Sequence, residues 1–131
     1  MTRAKGMNTA EYTSLISCRF TLEDGEPITI SGTLLDRREA RVVQINDYHL
    51  DFLPEGNLLI MGSIDHPGVI GKTGTLMADN GINIATWQTG RATPGGNTLT
   101  VLTLDEPLPE SVLEELRALD FVRHAHQIEL R

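Results

Sequence analysis

The sequence predicts an α+β protein whose second half is a four-stranded antiparallel sheet with two helices on one face. Residues 57–87 match residues 97–127 at a shift of 40 positions, which indicates a duplicated unit. The shift places Asp65 on Asp105, each two residues before a proline, after an apolar run and before a helical pattern. Two strand–helix–strand units of this length are typical of the ferredoxin-like βαββαβ arrangement.

Each copy of the unit contains one helix. The first is predicted from about Gly68 to Asn80, and the second from Pro109 to about Leu119. Proline suits the entry to a helix, and Gly81 suits the left-handed position that follows a helix end. The apolar residues of each helix recur on one stripe: Val69, Ile70, Leu76 and Met77 in the first, and Val112, Leu113, Leu116 and Leu119 in the second. Both stripes are expected to pack on the sheet.

Residues 1–56 form a region of different character. Four short segments rich in β-branched residues are separated by turn-forming residues: "YTSLISCRFTL", "EPITISGTLL", "EARVVQI" and "YHLDFL". They predict a small antiparallel β meander. Because three or four strands with few large core residues make an incomplete domain, we expect this meander to belong to a larger one. The segment "LPEGN" joins it to the second domain, residues 57–131.

The composition narrows the classes of partner. Eleven Lys and Arg against 18 Asp and Glu give a net charge of −7 at pH 7, which argues against nucleic acids and anionic membrane surfaces. No apolar run approaches the roughly 20 residues that span a bilayer, and the N-terminus lacks the apolar core of a signal peptide. A single cysteine fits a reducing compartment. We therefore expect a cytoplasmic protein.

Three glycines at three-residue spacing interrupt the first predicted helix, at Gly68, Gly71 and Gly74. A glycine inside a helix costs about 0.5–1 kcal/mol relative to alanine. The corresponding positions of the second copy are Leu108, Ser111 and Glu114. The duplicated fold therefore does not require these glycines, and we expect something to approach the first helix that does not approach the second.

A phosphate-binding loop is one candidate explanation. The segment "HPGVIGKT" nearly fits the pattern G-x-x-x-x-G-K-[ST], but His66 occupies the first glycine position. That glycine is one whose backbone would wrap the phosphate. The chain also lacks the residues for a parallel sheet of the size that a nucleotide-binding fold needs, so this interpretation is disfavoured.

A free amino acid suits the glycine-rich turn better, because its carboxylate and ammonium need complementary groups. The backbone N–H groups of Gly68, Val69 and Ile70 at a helix start can bind a carboxylate. Asp65 can accept from an ammonium, and the Asn83 amide can bind a side-chain hydroxyl. The residues leave a second interpretation open, in which Asp65 only caps the helix and the glycines only allow tight packing.

The remaining polar and reactive side chains have structural explanations. His124 and His126 alternate along the last strand and could share a metal ion, but no third ligand is evident, so surface histidines are the favoured interpretation. Cys18 is expected in the core, and Trp87 in packing or at an interface. No Ser/His/Asp or Cys/His grouping is present, so no catalytic residues are predicted.

Two adjoining segments resemble a known family in the family's own order. "SIDHPGVIGKTGTLMADNGINIATWQTGR" is similar to the ACT domain, a small-molecule sensor fold, in the version found in the D-3-phosphoglycerate dehydrogenase family. "ISGTLLDRREARVVQINDYHLDFLPEGNLLIM" resembles the end of that family's intervening, allosteric substrate-binding domain. The resemblance covers the chain from about Tyr12 onward.

The resemblance implies feedback control by L-serine, bound between the ACT domains of two subunits of a homo-oligomer. The serine-binding positions carried over from the family are Ser63, Asp65, His66, Pro67, Gly68, Val69, Ile70 and Asn83. Arg41 matches one position of a possible anion site in the intervening domain. Asp47 stands where the family usually has glycine after asparagine, and a tight Asn46–Asp47 turn is expected because both residues tolerate positive φ.

The chain lacks a Gly-x-Gly-x-x-Gly fingerprint and a His–acid pair for proton transfer. We therefore expect no cofactor and no catalysis in this chain alone. NAD and the dehydrogenase reaction would belong to a parent enzyme of which this is a C-terminal regulatory fragment or a separately encoded relative. Two alternatives remain: the β part of an iron–sulfur L-serine dehydratase, or a stand-alone amino-acid-sensing ACT protein.

Overall fold

The computed structural model describes residues 2–3, 16–21, 27–35, 39–91 and 96–130. The chain folds as two compact units, Met1–Pro54 and Glu55–Arg131. The boundary between them falls inside the segment "LPEGN". None of the helices in the described residues combines the length and apolar character that crossing a bilayer requires.

The first unit is an antiparallel meander, as its alternating segments predict. Its strands pair in chain order: β1 (Thr2–Arg3), β2 (Ile16–Thr21), β3 (Pro27–Leu35), β4 (Glu39–Ile45) and β5 (Tyr48–Phe52). In the described residues the sheet has five strands where three or four were expected, because the two-residue β1 adds to the edge of β2. Its buried apolar residues are Ile28, Val42, Val43, Ile45, Leu50 and Phe52.

The expected tight turn joins β4 to β5. Asn46 adopts a φ of 51°, a conformation that asparagine tolerates better than most residues. Its side chain accepts a hydrogen bond from the Thr29 backbone N–H at 2.9 Å, and its own N–H donates to the Thr29 carbonyl at 2.7 Å. The turn therefore holds the neighbouring strand β3 as well as its own hairpin.

The second unit has the predicted ferredoxin-like order of elements. It contains β6 (Gly56–Ile64), α1 (Val69–Asp79), β7 (Ile84–Arg91), β8 (Asn97–Leu104), α2 (Glu110–Arg117) and β9 (Val122–Leu130). The strands lie in the order β7-β8-β6-β9, and every neighbouring pair is antiparallel. The predicted α+β fold is confirmed.

Both helices are slightly shorter than predicted, for reasons that lie in their first residues. Gly68 has a left-handed φ of 98°, and Pro109 has an extended ψ of 148°, so neither belongs to the helix that it precedes. At the end of α1, Gly81 has the expected positive φ, 70°. Its N–H donates to the Ala78 carbonyl at 3.0 Å, which satisfies one of the free carbonyls at the helix end.

The core of the second unit lies between the sheet and the two helices. Alternate residues of β6 and β8 face this core, together with one stripe of each helix. The residues involved are Leu59, Met61, Val69, Met77, Ile82, Leu102, Leu104, Leu108, Val112, Leu113, Leu116, Phe121, Val122 and Ala125. Trp87 packs against this cluster and donates its Nε1–H to Thr89 Oγ1 at 2.8 Å, which confirms its expected packing role.

Candidate functional site

The candidate site lies at the end of the sheet where β6 ends and α1 begins. In the strand register, Arg91 of β7 pairs with Thr98 of β8, and Thr98 pairs with Ser63 of β6. These three residues therefore form one row across three strands. Ser63 lies two residues after Met61 and four after Leu59, and both of these belong to the core. Because every second residue of a strand points to the same face, the row lies on the helix-bearing face.

The start of α1 is open to a ligand. Gly68 is the residue before the helix, and no side chain of the described residues caps it. The first bond of the helix runs from the Lys72 N–H to the Gly68 carbonyl at 2.8 Å. The N–H groups of the first turn therefore keep the partial positive charge of a helix N-terminus, which suits a carboxylate.

Asp65 is paired with an arginine. Its Oδ2 lies 2.8 Å from Nη2 of Arg91, and its backbone N–H donates to the Gly96 carbonyl at 2.7 Å. Neither contact is to the first turn of α1, so neither supports the interpretation of Asp65 as a helix cap. Sequence reasoning missed Arg91, and only the strand register could have found it, because Arg91 is distant from Asp65 in the chain.

The turn between Asp65 and α1 is held by contacts to the segment before β9. His66 and Pro67 are exposed, and the His66 ring lies edge-on to the Phe121 ring with centroids 5.6 Å apart. The His66 Nδ1–H donates to the Pro67 carbonyl. The Ile64 N–H also donates to the Phe121 carbonyl at 3.0 Å, so the backbone that presents Asp65 is fixed on two sides.

Ser63 lies inside the core and not at the surface of the site. It is fully buried, and its Oγ lies 2.8 Å from Oγ1 of Thr98. This bond satisfies two hydroxyls that would otherwise be buried without partners. Ser63 is therefore placed to hold β6 to β8, and its hydroxyl is not exposed at the surface beside Asp65.

Asn83 lies at the opposite end of the sheet from Asp65. Both β6 and β7 are antiparallel to the strand between them, so they run parallel, and the residue before β7 is far from the residue after β6. The Asn83 amide donates to Asp105 Oδ2 at 2.8 Å, and the Asp105 N–H donates to the Asn83 carbonyl at 3.1 Å. Asp65 and Asn83 of one chain therefore do not lie beside each other.

The glycines of α1 are not required by internal packing. At Gly68, Gly71 and Gly74, a side chain of one methyl group would meet no described atom within 4 Å. The interpretation that they only allow tight helix–sheet packing is therefore wrong. The adjoining Ile70 is 67% exposed, so the prediction that it packs on the sheet with Val69 and Met77 is wrong. This face of α1 therefore combines an exposed apolar side chain with open space.

The other candidate residues lie elsewhere. His124 packs its ring over Gly62 on the neighbouring strand, where an added methyl group would lie 2.2 Å from Nε2, and its centroid is 5.6 Å from that of His126. The described residues contain no group of three or more potential ligands around a common point. Arg41, in the first unit, forms an ion pair with Asp51. Cys18, expected in the core, is half-buried on β2.

Comparison with known proteins gives one domain family and one group of relatives. Residues 57–121 match the ACT domain. Over 107 residues, 82% of the chain, it is 35% identical to a D-3-phosphoglycerate dehydrogenase of Methanocaldococcus jannaschii. Over 121 residues, 91% of the chain, it is 38% identical to a D-3-phosphoglycerate dehydrogenase of Archaeoglobus fulgidus. These alignments cover only 20% and 23% of the relatives' own lengths.

The match agrees with the antiparallel sheet and two helices of the second unit, and with the sequence segments that carry the resemblance. ACT domains are regulatory, and they generally bind amino acids and form dimers. The parallel sheet of a phosphate-loop fold is absent from the described residues. Residues 57–121 therefore form a domain of the ACT family, and the chain is similar to the ACT-containing region of D-3-phosphoglycerate dehydrogenases.

Proposed function

We propose that this chain is the regulatory, L-serine-binding part of a D-3-phosphoglycerate dehydrogenase, and that serine is held between the ACT domains of two copies. The relatives support the enzyme family. The separation of Asp65 from Asn83 within one chain is the observation that supports a site between two copies. Dehydrogenation with NAD would take place elsewhere in the parent enzyme, in the cytoplasm.

The length of the sheet excludes a ligand that touches both residues of one chain. The last paired row before Asp65 contains Ser63. The first paired row after Asn83 contains Asn57, because Ile84, the residue that follows Asn83, and Asn57 both pair with Leu104. Six residues of extended strand separate the two rows on β6, a distance of roughly 20 Å at about 3.3 Å per residue. A serine molecule is much shorter than this, so one of the two residues must come from elsewhere.

A second copy related by a two-fold axis supplies the missing residue. In a two-fold dimer the same surface of each copy forms the interface, with the two copies in opposite directions. One end of the sheet in one copy can therefore face the opposite end of the sheet in its partner. Asp65 of one copy then meets Asn83 of the second, and two equivalent sites form. The ammonium of serine is bound by Asp65, its carboxylate by the first turn of α1, and its hydroxyl by the Asn83 amide.

Helix α1 provides the surface that the second copy approaches. Ile70, Gly71 and Gly74 are neighbours on the helix surface, and Ala78 continues this face one turn later. Small residues allow another backbone to come close, and an exposed isoleucine adds apolar area. Helix α1 runs from the Asp65 end of the sheet to the Asn83 end. A contact between the α1 helices of two copies can therefore bring Asp65 of each copy close to Asn83 of the other.

Serine bound in this way links two subunits and restrains their relative movement. Coupling between an effector site and a distant active site is typically worth 1–3 kcal/mol. In the parent enzyme, this coupling would slow the catalytic domains when serine accumulates.

The direct test is calorimetric titration of the chain with L-serine, glycine and L-alanine. We expect serine to bind with a millimolar or tighter dissociation constant, roughly −4 kcal/mol or better, and Asp65→Asn to weaken it at least tenfold, about 1.4 kcal/mol. Asp47→Asn removes the same charge from the exposed turn between β4 and β5 of the first unit and serves as the control. If serine produces no binding heat, or if the two variants behave alike, the assignment is wrong.

Mixing variants tests whether the site is shared. Asp65→Asn copies and Asn83→Ala copies should each bind serine poorly. In a dimer containing one of each, one site keeps Asp65 from one copy and Asn83 from the other, so the mixture should regain up to half of the wild-type sites among mixed dimers. A site within one chain regains nothing on mixing, and that result would contradict the proposal.

A further inference from the structure

We propose that Arg91 is a specificity-determining residue of this site, which binds the α-carboxylate of the ligand while Asp65 binds its ammonium. The inference rests on the proposed function and adds a residue and a ligand class to it. The class is α-amino acids that carry both a free ammonium and a free carboxylate.

The position of Arg91 places its guanidinium at the ligand end of the sheet. Arg91 is the last residue of the edge strand β7, in one row with Thr98 and Ser63 on the helix-bearing face. From this edge its side chain reaches past β8 to Asp65, where Nη2 lies 2.8 Å from Oδ2. The guanidinium therefore lies directly beside the carboxylate that is assigned to the ammonium.

The pair contributes little as a stabilising device. The Arg91 side chain is 59% exposed and the Asp65 side chain 19% exposed. Solvent screening and the ordering of a long side chain leave such ion pairs with a small net contribution to stability. An arginine whose side chain crosses a strand to reach a partly buried carboxylate is more consistent with a role in binding a ligand than with a role in stability.

The charges of the pair match those of an α-amino acid. In such a ligand the ammonium and the carboxylate are attached to the same carbon atom. Because Asp65 and Arg91 are in direct contact, the ammonium can lie beside Asp65 while the carboxylate lies beside Arg91. Binding exchanges one internal ion pair for two: Asp65 gains the ammonium, and Arg91 gains the carboxylate. A planar guanidinium binds a carboxylate through two parallel hydrogen bonds, and the first turn of α1 adds further donors to the same anion.

The same charges discriminate against related ligands. Asp65 and Arg91 together are neutral, so a zwitterion enters without leaving a net charge in the site. An amine without a carboxylate leaves Arg91 without its second anion, and a carboxylic acid without an ammonium adds a second negative charge beside Asp65. Each lacks one of the two contacts.

The test compares L-serine with 2-amino-1,3-propanediol, which keeps the ammonium and hydroxyl of serine but has a hydroxymethyl group in place of the carboxylate. Titrations use the full chain with Arg91→Gln, Arg91→Lys and the control Arg123→Gln, an exposed arginine on the opposite edge strand. We expect Arg91→Gln to weaken serine binding at least tenfold, Arg91→Lys to weaken it less, and Arg123→Gln to change it less than twofold. The preference for serine over the diol should fall at least fivefold in Arg91→Gln.

Two results would overturn the inference. Unchanged serine binding by Arg91→Gln means that the guanidinium does not touch the ligand. Tighter binding of both ligands means that Arg91 only competes with the ammonium for Asp65. In either case wild-type binding of serine leaves the proposed function standing, whereas failure of the wild-type chain to bind any amino acid would remove both. Unfolding in urea shows that each variant is folded before it is titrated.

Discussion

Hydrogen bonds between pairs of hydroxyl groups link neighbouring strands on the helix-bearing face of the sheet. Ser63 and Thr98 satisfy each other at 2.8 Å, and Thr89 and Thr100 do so at 3.0 Å. Thr73, on the inner stripe of α1, differs from these four. Its side chain is fully buried, and its Oγ1 has no hydrogen-bond partner in the part of the chain that the structure describes.

Replacing Thr73 by valine is therefore expected to stabilise the protein. A buried hydroxyl without a partner costs about 1–3 kcal/mol of desolvation, and valine has the same shape without the hydroxyl. We expect the free energy of unfolding to rise by about 1 kcal/mol, measured by urea denaturation with circular dichroism.

The matched control is Thr98→Val on the sheet below. This change removes the partner of the buried Ser63 hydroxyl and should lower the free energy of unfolding by about 1–3 kcal/mol. If the two substitutions changed stability in the same direction, hydrogen-bond satisfaction would not be what distinguishes them.

At the scale of elements, the two helices differ in how well they follow helix-forming rules. In α2, Glu110 lies in the first turn and Arg117 in the last, where Arg117 donates to Glu114 at 2.9 Å. A negative charge in the first turn and a positive charge in the last turn both interact favourably with the helix dipole. Helix α1 has neither an acidic first turn nor a basic last turn, and it contains two glycines. Departures from local rules concentrate at functional sites, which agrees with the proposed role of α1.

Gly74→Ala is expected to stabilise the isolated fold. No described atom lies within 4 Å of the added methyl group, and alanine in a helix interior is favoured over glycine by about 0.5–1 kcal/mol. The measurement is urea denaturation at a protein concentration low enough to keep the chain monomeric.

Gly81→Ala serves as the opposite case after the end of the same helix. Gly81 also has open space around it, but its φ is 70°. Alanine in this left-handed conformation costs roughly 1–2 kcal/mol, so the variant should be less stable than the wild type. Stabilisation at both positions would show that backbone conformation does not control these sites.

At the scale of the whole molecule, serine binding and self-association are expected to be linked. If only the dimer contains complete sites, each site adds RT ln(1 + [L]/Kd) to the stability of the dimer, about 2.7 kcal/mol at a serine concentration 100 times Kd. Sedimentation equilibrium with and without serine should show a dimer dissociation constant at least tenfold lower with serine.

The variant Gly71→Ala/Gly74→Ala separates association from folding. It should fold at least as stably as the wild type, because neither methyl group meets a described atom within 4 Å, yet it should dimerise more weakly and respond less to serine. Equal self-association with and without serine would argue for a ligand site within one copy, or for none.

For residues 1–56 the resemblance implies a second, intervening domain. Their five-stranded meander agrees with the expected strand pattern, but their origin in an intervening substrate-binding domain stays a prediction. Arg41, the anion-binding candidate there, pairs with Asp51 through its Nε, so an anion would bind beside that carboxylate or displace it.

Local patterns in the sequence were sufficient to determine the order and type of the elements in the second unit. The repeat, the Asp-x-Pro breaks and the left-handed Gly81 are properties of neighbouring residues, and each is found as predicted. The apolar stripes are found as well, except that Ile70 of α1 is exposed and Thr73 takes the inner position. The family resemblance followed from two contiguous segments, and the ACT match covers residues 57–121.

Only the tertiary structure decided which of the candidate residues lie together. It placed Asn83 at the far end of the sheet from Asp65, buried Ser63, and brought Arg91 to Asp65. Strand order and register depend on hydrogen bonds and burial between segments that are distant in the chain. A local pattern carries no information on which distant side chain will share a row, and for this reason the ion pair at the centre of the site was visible only after the strands had been paired.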